Sequence, residues 1–516
     1  MNRLLTVVIA AVALAGDARD LTVPGGPRPR ATAAPSGFFA PHMMLQRDRP
    51  IPVWGTATPG EQVSVSFAGQ TASATADATG SWQVLLSPLP ACAEPRTLTI
   101  VSSSQATKQS SSRTTLSDIL VGDVYLCSGQ SNMQFPLCGQ SARQHDMKGN
   151  ALVQIANDPA LRFTSPRRAY ASAPTNDVEL VWGKACRADL ERRRYEGNFE
   201  EGSISAIGYY FAKYVREASG VPIGFVDVSR GGAFIEPNLP PAEVKRAGEL
   251  RLRPLGAHQR PGVLWNAMVA PMTRFPFKGV LWYQGESNKD DTNGVYLTKF
   301  AALVKGWRRE FGNPKLPFYY VQLAPHGSGF LSVQLQQAAY ELTDPDAEMV
   351  IVNDIGNLRN IHPRDKDTVG LRLALKALKR DYGFVDIEAS SPTCVKAERL
   401  PGGRVALTFD HAEWLYVLNE DMSLAADFEL QWPDGRWQKA TIHNFKDVWV
   451  WYAKRNVKDG SFAGNRIELS VYGLGEPQAI RYLHNSPWQG SVFNQASLPL
   501  GAFEKRIDVI TKGAGE

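Results

Sequence analysis

The sequence predicts an α/β protein: a mostly parallel sheet covered on both faces by helices, with a β-module on either side of it. Three observations carry that expectation. Strand-like runs alternate with helix-period segments from about residue 118 to 392. Period-two patterns punctuated by Gly and Pro fill the stretch from about 36 to 117. Similar patterns return from 393 to 516. A chain of 516 residues is too long for one core, and roughly two to four domains are expected on length alone.

The first residues, "MNRLLTVVIAAVALAGDARD", set one positive charge (Arg3) before an apolar run from Leu4 to Leu14 and small residues around Ala13 to Ala18. That is a secretory signal peptide pattern, assigned here to residues 1–18 and too short for a comfortable membrane span. The alternative is an anchor helix left in place. The expected location is secreted or lumenal (lysosomal, periplasmic or extracellular), with no stable membrane insertion once the signal is removed.

Residues 36–117 read as an N-terminal β-sandwich: "QVSVSFAG", "GSWQVLLSPLP" and "RTLTIVSSS" alternate between breakers, and the polar Ser102 to Arg113 forms a loop or hairpin tip. In residues 118–392, "VPIGFVDVS", "FKGVLWYQG", "LPFYYVQLA" and "AEMVIVND" are strands. The segment "ISAIGYYFAKYVREAS" places Ile204, Ile207, Tyr210, Phe211, Tyr214 and Val215 at helical spacing, and "VYLTKFAALVKGWRREFG" does likewise. From 393 to 516, "RVALTFD", "DFELQWPDGRW", "VWVWYA" and "NRIELSVYG" form a second β-module.

Composition narrows the classes of function. A net charge of +5 is small for this length, and no nucleic-acid signature accompanies it. The basic stretches "RADLERRR" and "KRAGELRLR" read as solvated faces. The five cysteines leave at least one thiol unpaired within the chain, and their spacing fits no zinc pattern. No metal and no cofactor is expected. No Asn-x-Ser/Thr acceptor occurs, so secretion would not imply N-glycosylation.

Four sparse polar clusters follow predicted strands of the α/β region, where open sheets form their sites. They are Ser128 to Asn132, "SRGG" (Ser229 to Gly232), "QGESN" (Gln284 to Asn288) and "NDIGNLRNIHP", which carries His362. A serine hydroxyl needs a base, most often histidine, and a carboxylate usually fixes the imidazole. A tetrahedral oxyanion needs donors already aimed at it. The candidates are Ser131 as nucleophile, His362 as base and Asp354 as orienting acid, with Gly231, Gly232 and Asn288 as oxyanion donors. Each cluster alone reads equally as a turn or a structural partner, and "GQS" is not the G-x-S-x-G elbow. Their shared position at strand ends of one domain is what favours chemistry.

"SGQSNM", "WYQGESN" and "IHPRDKDTVGLRLAL" resemble the sialate O-acetylesterase family, a branch of the SGNH hydrolases. The resemblance extends through "MMLQRDRPIPVWGTATPGEQVSVSF" and "LWNAMVAPMTRFPFKGVLWYQGESN" to "GEPQAIRYLHNSPWQGSVFNQASLPLGAF". It implies a flavodoxin-like, three-layer SGNH sheet and metal-independent hydrolysis of O-acetyl groups on sugars. It matches Ser131 to the nucleophile, His362 to the base and Gly231 and Gly232 to the glycine block. Asn288 is the chosen amide donor, with Gln284 and Glu286 as alternatives along the same wall. Gln130, Gln284, Glu286 and Arg230 are the expected substrate-binding residues.

The chain departs from the pattern at several places. Arg359 stands where many SGNH enzymes carry an Asp three residues before the base, which leaves Asp354 first and Glu286 second as the acid. Arg230 and Ala233 replace a Trp and a Thr around the glycines, Glu236 to Asn238 replaces a usual Glu-Ala-Trp, and "VQLQQAAY" lacks the usual Arg. The expected function is a carbohydrate O-acetylesterase, with sialate first among substrates and O-acetylated glycan as the partner class. The rivals are an acetyl esterase of plant or microbial polysaccharide and a non-catalytic glycan-binding homologue.

Overall fold

The seventeen-residue strand β1 (Arg113–Gly129) organises the molecule. The computed structural model describes residues 33–508 apart from 104–111, 141–143, 194–202, 254–255, 418–426, 443–445, 453–454, 471–475 and 485–489. The signal peptide assigned to residues 1–18 lies outside the described residues. The first part of β1 pairs antiparallel with Cys92–Ser103, bringing Leu116 opposite Leu98. Its last part is buried and lies at the centre of a parallel array. Residue 117, the sequence-predicted junction, therefore falls inside a continuous strand.

Around β1 lie β2 (Asn157–Thr164), β3 (Gly183–Cys186), β4 (Ile223–Asp227), β5 (Gly279–Tyr283), β6 (Phe318–Val321) and β7 (Ala347–Val350), in the order β3-β2-β4-β1-β5-β6-β7. All pairs are parallel except the edge pair β3–β2. The central strands are buried along their whole length and read as continuous apolar runs, as parallel strands covered on both faces do.

Helices pack on both faces. Tyr125 meets Phe211 of α2 (Ala206–Ser219) at 4.7 Å. On the opposite face, Trp282 and Tyr320 meet Phe300 of α3 (Val295–Glu310) at 6.2 and 5.0 Å. α4 (Leu331–Glu341) follows β6. α5 (Lys366–Asp381) lies close against α2, and a Cβ at Gly370 would come within 2.5 Å of the Tyr210 Cβ. Only glycine permits that approach.

Further sheets complete the α/β architecture. Ala34–Pro35, Ile51–Thr56 and Ser81–Leu86 form a small antiparallel sheet, and Met44–Gln46 pairs in parallel with Leu120–Gly122 of β1. Between residues 393 and 506, the described strands form three four-stranded sheets around a separate core that includes Leu407, Leu430 and Ile480. Leu331 and Leu335 of α4 pack against this second core.

Candidate active site

β1 ends in a backbone turn that only glycine accommodates. Gly129 has φ 132°, and a Cβ there would collide with the Tyr283 carbonyl of the neighbouring β5. Gln130 N–H donates to that same carbonyl at 2.9 Å. The chain then makes the single helical turn α1 (Ser131–Gln134). Its first amide, Ser131 N–H, has no intrahelical acceptor, as the start of any helix dictates. Ser205, which caps α2, donates its hydroxyl to the Met133 carbonyl at 2.6 Å and holds this turn in place.

Ser131 Oγ lies 2.8 Å from His362 Nε2. The two residues are 231 positions apart along the chain. His362 sits on the long loop after β7, wound by its own asparagines. Asn357 Oδ1 accepts from the Arg359 and Asn360 amides, and Asn360 Oδ1 accepts from His362 N–H at 3.0 Å. Burial, with the Lys366 and His326 charges nearby, brings the imidazole down to about 4. It is therefore neutral at physiological pH, the form that accepts a proton from a hydroxyl.

The expected orienting acid is engaged elsewhere. Asp354 gives one oxygen to Arg372 Nη1 and the other to Nη2, both at 2.7 Å, and makes no hydrogen bond to His362. This corrects the assignment of Asp354: a guanidinium on α5 takes both carboxylate oxygens. Arg359, in the position where an acid is usual, is exposed. Among the described residues, none makes a hydrogen bond to His362 Nδ1. The geometry here is a Ser–His pair.

The glycine block is held from beneath. Asp227 at the end of β4 accepts from the Ser229 hydroxyl at 2.5 Å and pairs with buried Arg168 at 3.1 Å. Arg230 N–H donates to the Gly129 carbonyl at 3.0 Å. Gly231 follows beside the nucleophile, where an added Cβ would stand 3.7 Å from Ser131 Cβ. Its N–H points to Gln134 Oε1 at 2.6 Å. Gly232 turns outward with φ 71°, and its carbonyl accepts from Gln259 and Ser287. Of the two glycines, Gly231 faces the Ser131 turn.

Asn288 is also corrected by its surroundings. It is fully buried, its Nδ2 donates to Glu236 and Asp291 at 3.1 and 2.8 Å, and its Oδ1 accepts from Ile235 N–H and Gln284 Nε2 at 2.9 and 2.7 Å. All of its polar capacity is used inside the protein, so it has no donor left for an oxyanion. Lys299, itself buried, pairs with both Glu236 and Asp291 at 2.7 Å, and Arg253 pairs with Asp291 as well, so two cations face the two carboxylates of this cluster.

Gln284 is buried too, and its amide joins Gln130, Ala233 and Asn288. Gln130 Oε1 accepts from Gln284 Nε2 and from the Gly285 and Ser287 amides. Its Nε2 carries no hydrogen bond to a described residue. Gln130 is thus the amide next to Ser131 with donors to spare. Arg230 Nε donates to Tyr170 OH at 2.7 Å, and the Tyr170 ring lies 4.6 Å from that of His258. This half-buried basic and aromatic corner adjoins the glycine block.

Glu286 makes no hydrogen bond to His362. Its Oε1 accepts from Asn132 Nδ2 at 2.5 Å, and burial pushes its carboxyl up from the ordinary range. The Asn132 Oδ1 accepts from Lys366 Nζ at 2.6 Å. Sequence reasoning passed over Asn132 and Lys366, although "QSNM" and "PRDKD" were in view; a polar residue beside each catalytic candidate was the available signal.

Residues 121–379 match the family described as carbohydrate esterase, sialic acid-specific acetylesterase. The chain is 27% identical over 464 residues to mouse sialate O-acetylesterase, covering 77% of this chain and 83% of that protein. It is 28% identical over 432 residues to the human sialate O-acetylesterase, covering 76% and 80%. Among solved structures, a carbohydrate acetylesterase from Xanthomonas citri superposes with a TM-score of 0.76 at 32% identity, over 92% of this chain and 99% of that one.

Proposed function

This chain belongs to the carbohydrate esterase, sialic acid-specific acetylesterase family, and we propose that it hydrolyses O-acetyl esters on sugars, sialic acids first among them, through an acetyl-enzyme on Ser131. It is a carboxylic ester hydrolase. The observation that carries the mechanism is the 2.8 Å approach of Ser131 Oγ to His362 Nε2.

His362 takes the Ser131 proton as Oγ bonds to the acetyl carbonyl carbon. The carbonyl oxygen becomes an oxyanion facing the Ser131 N–H, the Gly231 N–H once Gln134 moves aside, and Gln130 Nε2. Collapse breaks the bond to the sugar oxygen, which leaves with the proton from His362. Water then gives its proton to His362 and attacks the acetyl-serine. Acetate departs and Ser131 recovers its proton. Gln284 and Glu286 support this wall from behind, and Arg230 borders the sugar.

The remaining readings belong to the same proposal. The parallel array and its helices are read as a flavodoxin-like, three-layer SGNH domain over 118–392, flanked by β-domains at 36–117 and 393–516. Residues 1–18 are read as a signal peptide that directs secretion or lumenal delivery.

Ser131→Ala tests the mechanism. Acetate release from an O-acetylated sialoside and from a chromogenic acetate is expected to vanish, as is labelling by a fluorophosphonate. Undiminished release would reject Ser131 as the nucleophile, whereas a wild-type protein that neither releases acetate nor takes the label would favour the non-catalytic, glycan-binding reading.

A further inference from the structure

A base on a loop must be registered against its nucleophile to within a fraction of an ångström, and among the described residues no carboxylate is hydrogen-bonded to His362 to do so. The contact that ties the two halves together is made by the residue after the nucleophile. Asn132 Nδ2 donates to the Ile361 carbonyl at 3.0 Å, one residue before His362, and to Glu286 Oε1 at 2.5 Å. Its Oδ1 accepts from Lys366 Nζ at 2.6 Å.

The orientation of this amide is chemically determined. A carbonyl only accepts, so the nitrogen must face Ile361 and the oxygen must face Lys366. Asn132 is 1% exposed, Glu286 6% and Lys366 0%, so water competes little for these bonds. Lys366 Nζ also sits 4.9 Å from the Phe135 ring centroid and 5.6 Å from that of Tyr283. The opposite side of the same loop is exposed from Asn357 to Arg359.

We propose that Asn132 is the positioning residue of the base: clamped between Lys366 and Glu286, its amide pins the Ile361 carbonyl and so keeps His362 on the Ser131 hydroxyl. Glu286 acts as a hydrogen-bond acceptor for that amide and reaches His362 only through it and the Ile361 backbone. The inference rests on the Ser131–His362 reading above and replaces the absent acid with an amide clamp.

The test compares Asn132→Ala, Asn132→Asp, Glu286→Ala and Glu286→Gln with wild type and with Ser131→Ala, using a chromogenic acetate and the rate of fluorophosphonate labelling. Asn132→Ala is expected to lower kcat and the labelling rate about 100-fold, the scale of a misplacement near 1 Å, with KM changed less than about threefold. Asn132→Asp keeps the shape but cannot donate, and is expected to lose as much. Glu286→Gln still offers an oxygen to Asn132 and is expected to recover at least about tenfold of what Glu286→Ala loses. Folded Asn132 variants with kcat within about threefold of wild type would overturn the clamp. So would a Glu286→Gln no better than Glu286→Ala, because the charge rather than the acceptor would then be acting. Activity surviving Ser131→Ala would instead reject the nucleophile itself, a separate outcome.

Discussion

Asp354 and Arg372 form a two-pronged ion pair, each carboxylate oxygen 2.7 Å from its own guanidinium nitrogen, and this pair ties the start of the His362 loop to α5. Arg372 Nη1 also donates to the Ile351 carbonyl at 2.7 Å, so the guanidinium spans the end of β7 as well. Asp354 thus serves the loop's attachment and leaves the imidazole alone.

Asp354→Asn separates those roles. Removing one partner of a largely buried pair typically costs about 3 kcal/mol. The variant is expected to unfold at correspondingly lower urea. Its kcat should fall far short of the ~10⁴-fold loss that follows when a carboxylate fixing the base's tautomer is replaced. A loss of that size in a folded protein would return Asp354 to the base.

The acid limb of the pH profile follows from His362. Its imidazole is brought down to about 4, chiefly by burial, so the neutral base persists well below the ordinary histidine range. Rates of kcat/KM on a neutral acetate are expected to hold through pH 5 and fall as pH drops through about 4. Stability shares the sign. Between the unfolded value near 6.5 and the folded value, the unfolded chain binds the extra proton. The contribution is complete above about 6.5 and is lost as pH falls toward the folded value. A kinetic limb near pH 6.5 would show that the imidazole is solvated in the working enzyme.

The clusters at strand ends were legible because period-two and apolar patterns mark where each parallel strand stops, and Ser131 and His362 follow two such stops. Asp354 was misread because proximity to a strand end is a local property. Its partner Arg372 lies 18 residues further on and reaches it only after α5 folds back. Asn288 was misread for a related reason. Polar residues after a strand suggest an exposed donor, but Lys299, Glu236 and Asp291 converge on Asn288 from separate segments and bury it. The junction near residue 117 looked like a composition change, whereas the backbone there is one strand that serves two regions. Asn132 was hidden by its neighbour, since its importance lies in three partners more than 150 residues away along the chain.

Gln130 and Asn288 are expected to fail in different ways. Gln130→Glu keeps an acceptor for Gln284, Gly285 and Ser287 but removes the free amide donor beside Ser131. Losing one oxyanion donor lowers turnover by about 100- to 1,000-fold, and kcat should fall within that range while the protein stays folded. Asn288→Ala leaves buried partners unsatisfied on both sides, at about 1–3 kcal/mol for each group. Its main effect is therefore expected in the thermal melt. An unchanged melt with a collapsed kcat would make Asn288 the oxyanion donor after all.

Arg230 is the residue through which charge on the sugar is expected to be felt. It stands between Gly129 and Gly231, its Nε anchored on Tyr170 OH at 2.7 Å, and Tyr170 is in turn packed on His258. In the proposed function, a carboxylate on the sugar next to the glycine block would be met by this braced guanidinium. Charged hydrogen bonds of this kind contribute about 1.5–3 kcal/mol, or roughly ten- to a hundredfold in affinity. Arg230→Gln is accordingly expected to raise KM for an O-acetylated sialic acid by at least about tenfold. For a neutral hexose or xylose acetate the rise should be much smaller, because no carboxylate is present to lose its partner. Paired Michaelis curves on the two substrate types check this. An equal rise on both would mean that Arg230 shapes the pocket without reading the acid, and that selection among acetylated sugars is made elsewhere on the rim.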